Sequence, residues 1–298
     1  MLLAHCSDLH LLSLDGTRLL DFANKRWIGG LNLLTNRGRH YHTEAFEQMV
    51  EDFGESKVDH VICTGDVTNL AFEQEFRYAR ERFDRIPLGT HGVTVLPGNH
   101  DTYVAEGEQH FHEIFAPYFA SDAGWPEPWP TVRIRGDVAL IGLSTSRKTP
   151  WFTAYGVCDD DQLARLAEAL TDPRVKGKCR VVALHHPPAG RRAQSRIRGL
   201  RDHEAFAAVL AQHGCELVLH GHEHRDLRNE LPGPSGPIPV LGVPSGTYGA
   251  ADTTRTARYR VIELDGGGVR AHHLRVWRRD QNRFEIDDAE PGLVAATA

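Results

Sequence analysis

The sequence has 298 residues, of which 41% are hydrophobic and 25% charged, values that are ordinary for a globular protein. The formal net charge of −6 disfavours broad electrostatic capture of nucleic acid, so we expect no nucleic acid duplex as a partner. No apolar run reaches the roughly 18 residues that span a bilayer. The N-terminus does not have the pattern of a signal peptide, and the five cysteines lack CxxC spacing. We therefore predict a cytoplasmic protein with reduced thiols.

Five short β-rich runs share one pattern, because each ends in a cluster of aspartate, asparagine or histidine. These predicted strands are Leu2–Cys6, Val58–Thr64, Gly92–Leu96, Cys179–Leu184 and Glu216–Leu219. Between these strands, apolar residues at helical spacing predict four helices, at Thr43–Phe53, Phe72–Phe83, Asp159–Leu170 and His203–His213. Alternating strands and helices predict a largely parallel inner sheet, in which ligands collect at the carboxyl ends of the strands.

Further β-runs lie in the middle and towards the end of the chain. Thr131–Ile134 and Val138–Leu143 flank a Gly-Asp pair and predict a hairpin. Three more runs follow Arg225, at Ile238–Val243, Arg258–Leu264 and Val269–Val276. No linker divides the sequence. We expect one domain over residues 1–286, with an insertion at 18–41 and a loose tail at 287–298.

The polar strand ends offer seven oxygen and imidazole ligands and no thiolate. They are Asp8, His10, Asp66, Asn99, His185, His222 and His224. Such a mixed set suits manganese, iron or zinc better than a soft metal. Seven ligands exceed the needs of one tetrahedral ion. They suit two ions that lie about 3.5–4 Å apart and share a bridging carboxylate.

The spacing within these clusters carries structural information. The i, i+2 separation of Asp8 and His10, and of His222 and His224, predicts two side chains on one face of an extended segment. A glycine precedes three of the clusters, which permits a sharp turn and close approach of the backbone to the metals. These glycines are Gly65, Gly98 and Gly221.

Five motifs in order resemble those of the calcineurin-like metallophosphoesterase superfamily. They are Asp8-x-His10, Gly65-Asp66, Gly98-Asn99-His100-Asp101, His185-His186-Pro187 and Gly221-His222-x-His224. The resemblance covers residues 3–224. It implies an α/β fold, a four-layer α-β-β-α sandwich of two mixed sheets flanked by helices.

The resemblance also implies roles for individual residues. Two divalent or mixed-valence metal ions would share Asp66 as a ligand. The first ion would also be held by Asp8, His10 and His224. The second ion would also be held by Asn99, His185 and His222. A hydroxide that bridges the ions would be the nucleophile. His100 would stabilise the transition state or protonate the leaving oxygen, and Asp101 would hydrogen-bond His100 and favour its charged form. His185 is preferred as the ligand of the second ion, and His186 remains the alternative ligand.

Departures from the subfamily patterns narrow the expected activity. Purple acid phosphatases carry a tyrosine where this chain has Asn69, and the lipid A pathway's UDP-diacylglucosamine hydrolases carry an arginine where it has His100. Ser/Thr protein phosphatases end the later motif in glutamate, whereas this chain has Asp101. The remaining pattern is most similar to the class III bacterial cyclic-nucleotide and glycerophosphodiester phosphodiesterases. We therefore predict a phosphodiesterase that acts on a small phosphoester substrate.

Two basic segments leave alternatives open. Leu19–Arg39 mixes tryptophan and leucine with arginine and lysine. It is typical either of an insertion that packs over the active site, which we favour, or of peripheral membrane or lipid contact through 18–39. The second interpretation would make the protein a hydrolase of a lipid-linked phosphate or pyrophosphate. Arg191, Arg192 and Arg196 could hold further phosphate groups of the substrate or belong to a solvated loop. A non-catalytic metal-binding scaffold is disfavoured because no ligand is missing.

Overall fold

The computed structural model describes residues 1–15, 17, 40–249 and 255–287. The predicted insertion at 18–41, with its possible lipid contact, and the predicted tail at 287–298 thus fall almost wholly outside the described residues. Within the described ranges, no helix has the length and apolar character that crossing a bilayer requires. All five cysteines lie in these ranges, and each is buried and free of a disulfide.

Twelve strands and seven helices make up the regular structure of the described residues. The strands are β1 (Leu2–Cys6), β2 (His60–Cys63), β3 (Val93–Val95), β4 (Thr131–Arg135), β5 (Val138–Gly142), β6 (Cys179–Ala183), β7 (Leu217–His220), β8 (Leu227–Leu231), β9 (Ile238–Gly242), β10 (Arg258–Asp265), β11 (Gly268–Arg278) and β12 (Arg283–Ile286). The helices are α1 (Thr43–Glu55), α2 (Glu73–Phe83), α3 (Asn99–Thr102), α4 (Ala105–Phe119), α5 (Asp160–Thr171), α6 (Gly190–Ala193) and α7 (His203–His213).

The strands form two six-stranded sheets, and both sheets are mixed. The first has the order β12-β11-β10-β1-β2-β3, and the second has the order β4-β5-β6-β7-β9-β8. In the first sheet β1, β2 and β3 pair in parallel, while β10 pairs antiparallel with β1. In the second sheet β5, β6, β7 and β9 pair in parallel between antiparallel edge strands. The predicted fold of two mixed sheets is confirmed.

Alternating side chains of β6 show how the layers are arranged. Val181 and Ala183 point into the larger core, which lies between the two sheets and continues under α1, α2 and α4. Val182 points the other way, into a second core beneath α5 and α7. Because successive side chains of a strand face opposite sides of a sheet, the second sheet is covered on both faces. The result is the expected four-layer α-β-β-α sandwich.

Helix α4 is an element that the sequence analysis did not predict. Phe111, Phe115 and Phe119 recur at intervals of four and are buried in the larger core. This spacing places them on one face of the helix. The helix begins six residues after Asn99, so its packing against the core helps to fix the segment that carries the Asn99-His100-Asp101 motif.

Candidate metal centre

The seven predicted ligands lie at the carboxyl ends of central strands in the two sheets. Strands β1, β2, β3, β6 and β7 are followed directly by these residues, namely Asp8, His10, Asp66, Asn99, His185, His222 and His224. All seven are brought together into one cluster at the carboxyl ends of these strands. The position agrees with the rule that ligands collect outside the carboxyl ends of parallel strands.

The backbone of the cluster differs from the extended segments that we predicted. Five of its residues have φ in the left-handed region, at 55° for Asp8, 45° for His10, 54° for Asp66, 71° for His222 and 53° for His224. Such a conformation costs a residue with a side chain about 1–3 kcal/mol and is concentrated at functional sites. The paired side chains therefore converge because of tight turns, and the expected alternation along an extended strand is wrong.

Hydrogen bonds between neighbouring strand ends hold these turns. The amide of Asp8 donates to the carbonyl of Gly65 at 2.9 Å, and the amide of His10 donates to the carbonyl of Asp66 at 2.9 Å. Close approach of the backbone adds a steric requirement: a Cβ at Gly98 would lie 2.1 Å from the amide nitrogen of Asp66. Glycine at this position therefore allows the close approach of the two loops.

One half of the cluster joins two histidines and two carboxylates. Nε2 of His10 lies 3.2 Å from Nε2 of His224, and the latter atom lies 3.0 Å from Oδ1 of Asp8. Oδ2 of Asp66 is 3.9 Å from Nε2 of His10. These four groups are the set that the resemblance implies for the first metal ion.

The other half joins two histidines and an amide oxygen. Oδ1 of Asn99 lies 3.1 Å from Nε2 of His185 and 2.7 Å from Nδ1 of His222. Oδ1 of Asp66 is 3.5 Å from Nε2 of His185. The two oxygens of Asp66 therefore face different halves of the cluster, an arrangement that would let this carboxylate bridge two ions.

The protonation of the imidazoles fits metal binding. Nδ1 of His10 lies 3.3 Å from the carbonyl of Thr68, and Nδ1 of His185 lies 2.7 Å from the carbonyl of Thr64. A carbonyl accepts, so each Nδ1 carries the proton and each Nε2 keeps a lone pair for a ligand. Nε2 of His185 is also 3.3 Å from Nδ1 of His222. Nitrogen atoms this close, beside carboxylates, form a donor set that suits cations between them.

His186 has different surroundings from His185. Its Nδ1 lies 2.8 Å from the hydroxyl of Thr145, and its ring is fully buried beside that of His222 at a centroid distance of 4.6 Å. His185 rather than His186 contacts Asp66 and Asn99, which supports the preferred assignment of the ligand.

Burial and neighbouring charge set the ionisation of the cluster. Burial alone would raise the pKa of Asp8, but the charge and hydrogen bond of His224 hold that pKa well below its usual value. Burial lowers the pKa of His185 and of His222. At neutral pH the carboxylate is thus ionised and these two imidazoles are neutral, the forms that bind metal ions.

His100 faces the centre but is not paired with Asp101, so that prediction is wrong. The ring of His100 lies edge-on to His10 at a centroid distance of 4.8 Å. Its Nδ1 lies 2.8 Å from the carbonyl of Asn69, which takes the place that we expected for Asp101. The imidazole is therefore oriented by a backbone carbonyl of the loop after β2.

Asp101 instead forms hydrogen bonds that connect the two loops that carry Asp66 and Asn99. Its carboxylate turns back from the short helix α3 and accepts hydrogen bonds from the amides of Gly98 (2.8 Å), Val67 (3.2 Å) and Thr68 (2.9 Å) and from the hydroxyl of Thr68 (2.8 Å). Burial raises the pKa of Asp101 to about 6, although these bonds favour the ionised form. Asp101 is thus a positioning residue for Asp66 and Asn99.

Tyr41 is a neighbour of the centre that the sequence analysis missed. Its hydroxyl lies 3.2 Å from Nδ1 of His224, and its ring lies edge-on to His10 at 4.7 Å. A partner on the second nitrogen fixes the orientation of a histidine ligand. No sequence motif marks this contact, because Tyr41 lies outside the five motifs that carry the ligands.

The arginine-rich segment lies beside the centre, with one arginine engaged by a ligand loop. Nε of Arg192 is 3.2 Å from a carboxylate oxygen of Glu223, which stands between two histidines of the cluster. Arg198, which we did not select, contributes to the lowered pKa of His222 after burial and the neighbouring histidines. Roles for Arg191, Arg192 and Arg196 in substrate binding stay predictions.

Comparison with known proteins identifies the family and the shared fold. The model of the calcineurin-like phosphoesterase family matches residues 1–226. A dimetal phosphatase from Danio rerio has a similar structure, with a TM-score of 0.60 and 13% identity over 92% of this chain and 94% of that one. Purple acid phosphatase PPD1 from yellow lupin (Lupinus luteus) seeds gives a TM-score of 0.58 and 12% identity over 96% of this chain and 52% of that one.

This chain spans about half of the lupin protein, and identities this low show a shared fold alone. A search of curated protein sequences gives no match. The family model, in contrast, covers well over half of the sequence. The chain therefore belongs to the calcineurin-like phosphoesterase family, and this membership supports a metal-dependent phosphoric ester hydrolase.

Proposed function

We propose that this chain is a phosphodiesterase with two metal ions, acting on a small substrate such as a cyclic nucleotide or a glycerophosphodiester. The observation that carries the proposal is the position of Asp66, whose Oδ2 faces His10 and whose Oδ1 faces His185. A pair of divalent ions there would activate a water molecule and polarise the phosphoryl oxygens. Manganese, iron and zinc all suit the donor set.

His100 is the group best placed to move a proton. Its Nδ1 lies 2.8 Å from the carbonyl of Asn69, which orients the ring. The amide of His100 donates to Oδ1 of Asp66 at 2.7 Å, which fixes the imidazole relative to the metal centre. A charged imidazole in this position stabilises the negative transition state or protonates the leaving oxygen.

The preference for a diester is supported by the sequence pattern, and a panel of substrates tests it. Phosphomonoesters, cyclic and linear phosphodiesters and lipid pyrophosphates are compared with manganese present. We expect the diesters to have the highest kcat/KM. Monoesters or lipid pyrophosphates as the preferred substrates would contradict the proposal.

Two variants separate binding of the metals from proton transfer. Asn99→Ala removes an oxygen ligand, so metal content and activity fall together. His100→Ala keeps the metal but loses about 10²–10⁴-fold in kcat, the usual contribution of a general acid. His91→Ala, on an exposed residue outside the cluster, is the matched control. Unchanged turnover in His100→Ala would refute its role.

A further inference from the structure

We propose that a pocket beside His100 binds a planar heteroaromatic ring of the substrate, an inference that rests on the proposed phosphodiesterase function and narrows its substrate class. The ring pocket is a cavity of about 570 Å³ between residues 103–106 and residues 148–151. The first segment follows the Asn99-His100-Asp101 motif and the second follows β5. Ligand sites usually have volumes of about 300–1,000 Å³, so a ring and its sugar would fit.

Both walls of the ring pocket are joined to the loops of the metal centre. The ring of Tyr103 contacts that of His100 at a centroid distance of 5.9 Å, and His100 in turn contacts His10. On the other wall, the hydroxyl of Ser146 donates to the carbonyl of Pro97 at 3.0 Å, directly before the Gly98-Asn99 turn. A phosphate held at the metal centre therefore has its organic group within reach of this cavity.

The residues of the pocket match a stacked ring. Trp151 lines the cavity and is 54% exposed, although tryptophan is normally buried for the most part. Lys148 and Glu106, also in the wall, offer a hydrogen-bond donor and an acceptor. Within the described part of the chain, neither has an ion-pair partner within 4.0 Å. An aromatic face beside a donor and an acceptor suits a heteroaromatic ring that has both kinds of group on its edge.

The turn that carries Trp151 is held in place. The hydroxyl of Thr149 donates to the carbonyl of Thr153 at 2.7 Å, and the amide of Thr153 donates to the carbonyl of Pro150 at 3.2 Å. Phe152 has φ of 64° and is 79% exposed, and it does not line the cavity. Phe152 is therefore a matched control for Trp151: an exposed aromatic residue on the same turn.

The pocket is tested with two substrates, of which only one carries a heteroaromatic ring. They are the methyl ester of AMP and the methyl ester of ribose 5-phosphate, and hydrolysis is followed by phosphorus NMR with the manganese-loaded enzyme. Stacking on an aromatic side chain predicts that Trp151→Ala lowers kcat/KM for the AMP ester about 10- to 100-fold, mainly through KM. The same variant leaves the ribose ester unchanged, and Phe152→Ala leaves both unchanged.

The outcomes separate the ring pocket from the proposed function. Equal hydrolysis of the two esters by the wild type, or an equal loss on both in Trp151→Ala, would overturn the ring pocket and leave the phosphodiesterase intact. Absence of hydrolysis on every phosphodiester would refute the phosphodiesterase instead. Saturation-transfer NMR with AMP then tests ring binding independently of hydrolysis. Contacts between the protein and the protons of the adenine ring that vanish in Trp151→Ala support the ring pocket. Absence of these contacts in the wild type overturns it.

Discussion

Replacing Gly98 with alanine tests whether close packing of two loops sets the geometry of the metal centre. A Cβ at Gly98 would lie 2.1 Å from both the amide nitrogen and Oδ1 of Asp66, and 2.7 Å from its Cγ. All three distances are far below a van der Waals contact, so the backbone of one loop must move. The side chain that moves with it is the proposed bridging carboxylate.

The size of the effect follows from this overlap. Relief of the clash requires a shift of roughly 1 Å, and a misplacement of that size at an active site costs about 100-fold in rate. Overpacking of a close-packed site lowers the free energy of unfolding by about 1–3 kcal/mol. Gly98→Ala should therefore remain folded while it loses most of its manganese affinity and activity.

Gly54→Ala provides the matched control for this substitution. Gly54 lies in α1, and nothing is within 4 Å of the position of its Cβ. Alanine in a helix is favoured over glycine by about 1 kcal/mol, so this variant should keep or gain stability. Calorimetric titration with manganese and urea unfolding measure both effects. Wild-type manganese affinity in Gly98→Ala would refute the argument that this contact positions Asp66.

Two further predictions concern Tyr41 and Glu75. Tyr41→Phe removes the hydroxyl beside His224 and should weaken manganese binding about 10-fold, whereas Tyr248→Phe should not; equal affinities would exclude Tyr41 as a positioning residue. Burial raises the pKa of Glu75 from 4.5 to about 8, so the folded state binds a proton that the unfolded chain releases. The contribution of Glu75 to the free energy of unfolding should thus fall by about 5 kcal/mol between pH 4.5 and 8, so the difference in this free energy between the wild type and Glu75→Gln should change by that amount in urea titrations; the same pH dependence in both proteins would disprove the assignment.

The strands that carry the site could be predicted because their sequence signal is local. Short apolar runs ending in polar clusters located β1, β2, β3, β6 and β7, with errors of a few residues at the ends. Once these strands lie parallel, their polar ends must meet at one edge. The convergence of the ligands was therefore accessible from sequence, although their distances were not.

The conformation of the ligand turns could not be predicted from sequence. Asp8 and His10 adopt left-handed φ values that local propensity disfavours, and partners more than fifty residues away stabilise them. The partner of His100 was missed for a similar reason, because any residue supplies the backbone carbonyl that Asn69 contributes. Side-chain patterns carry no information about such contacts.

The missed elements have two different causes. Helix α4 has apolar residues at helical spacing, namely Phe111, Phe115 and Phe119, but Pro117 interrupts its last turn. Strands β8 and β12 are short, partly exposed edge strands whose sequences, LRNEL and RFEI, contain charged residues. Strands β8 and β12 are defined by their pairing with β9 and β11. The sequence of one strand contains little information about the strand with which it pairs.

Anomalous diffraction from crystals soaked in manganese would show directly whether two ions occupy this cluster. We expect two anomalous peaks about 3.5–4 Å apart, with the carboxylate of Asp66 bound to both ions. His10 and His224 should contact one ion, and His185 and His222 the other. A single peak, or two peaks that do not share Asp66, would contradict the assignment of a binuclear centre.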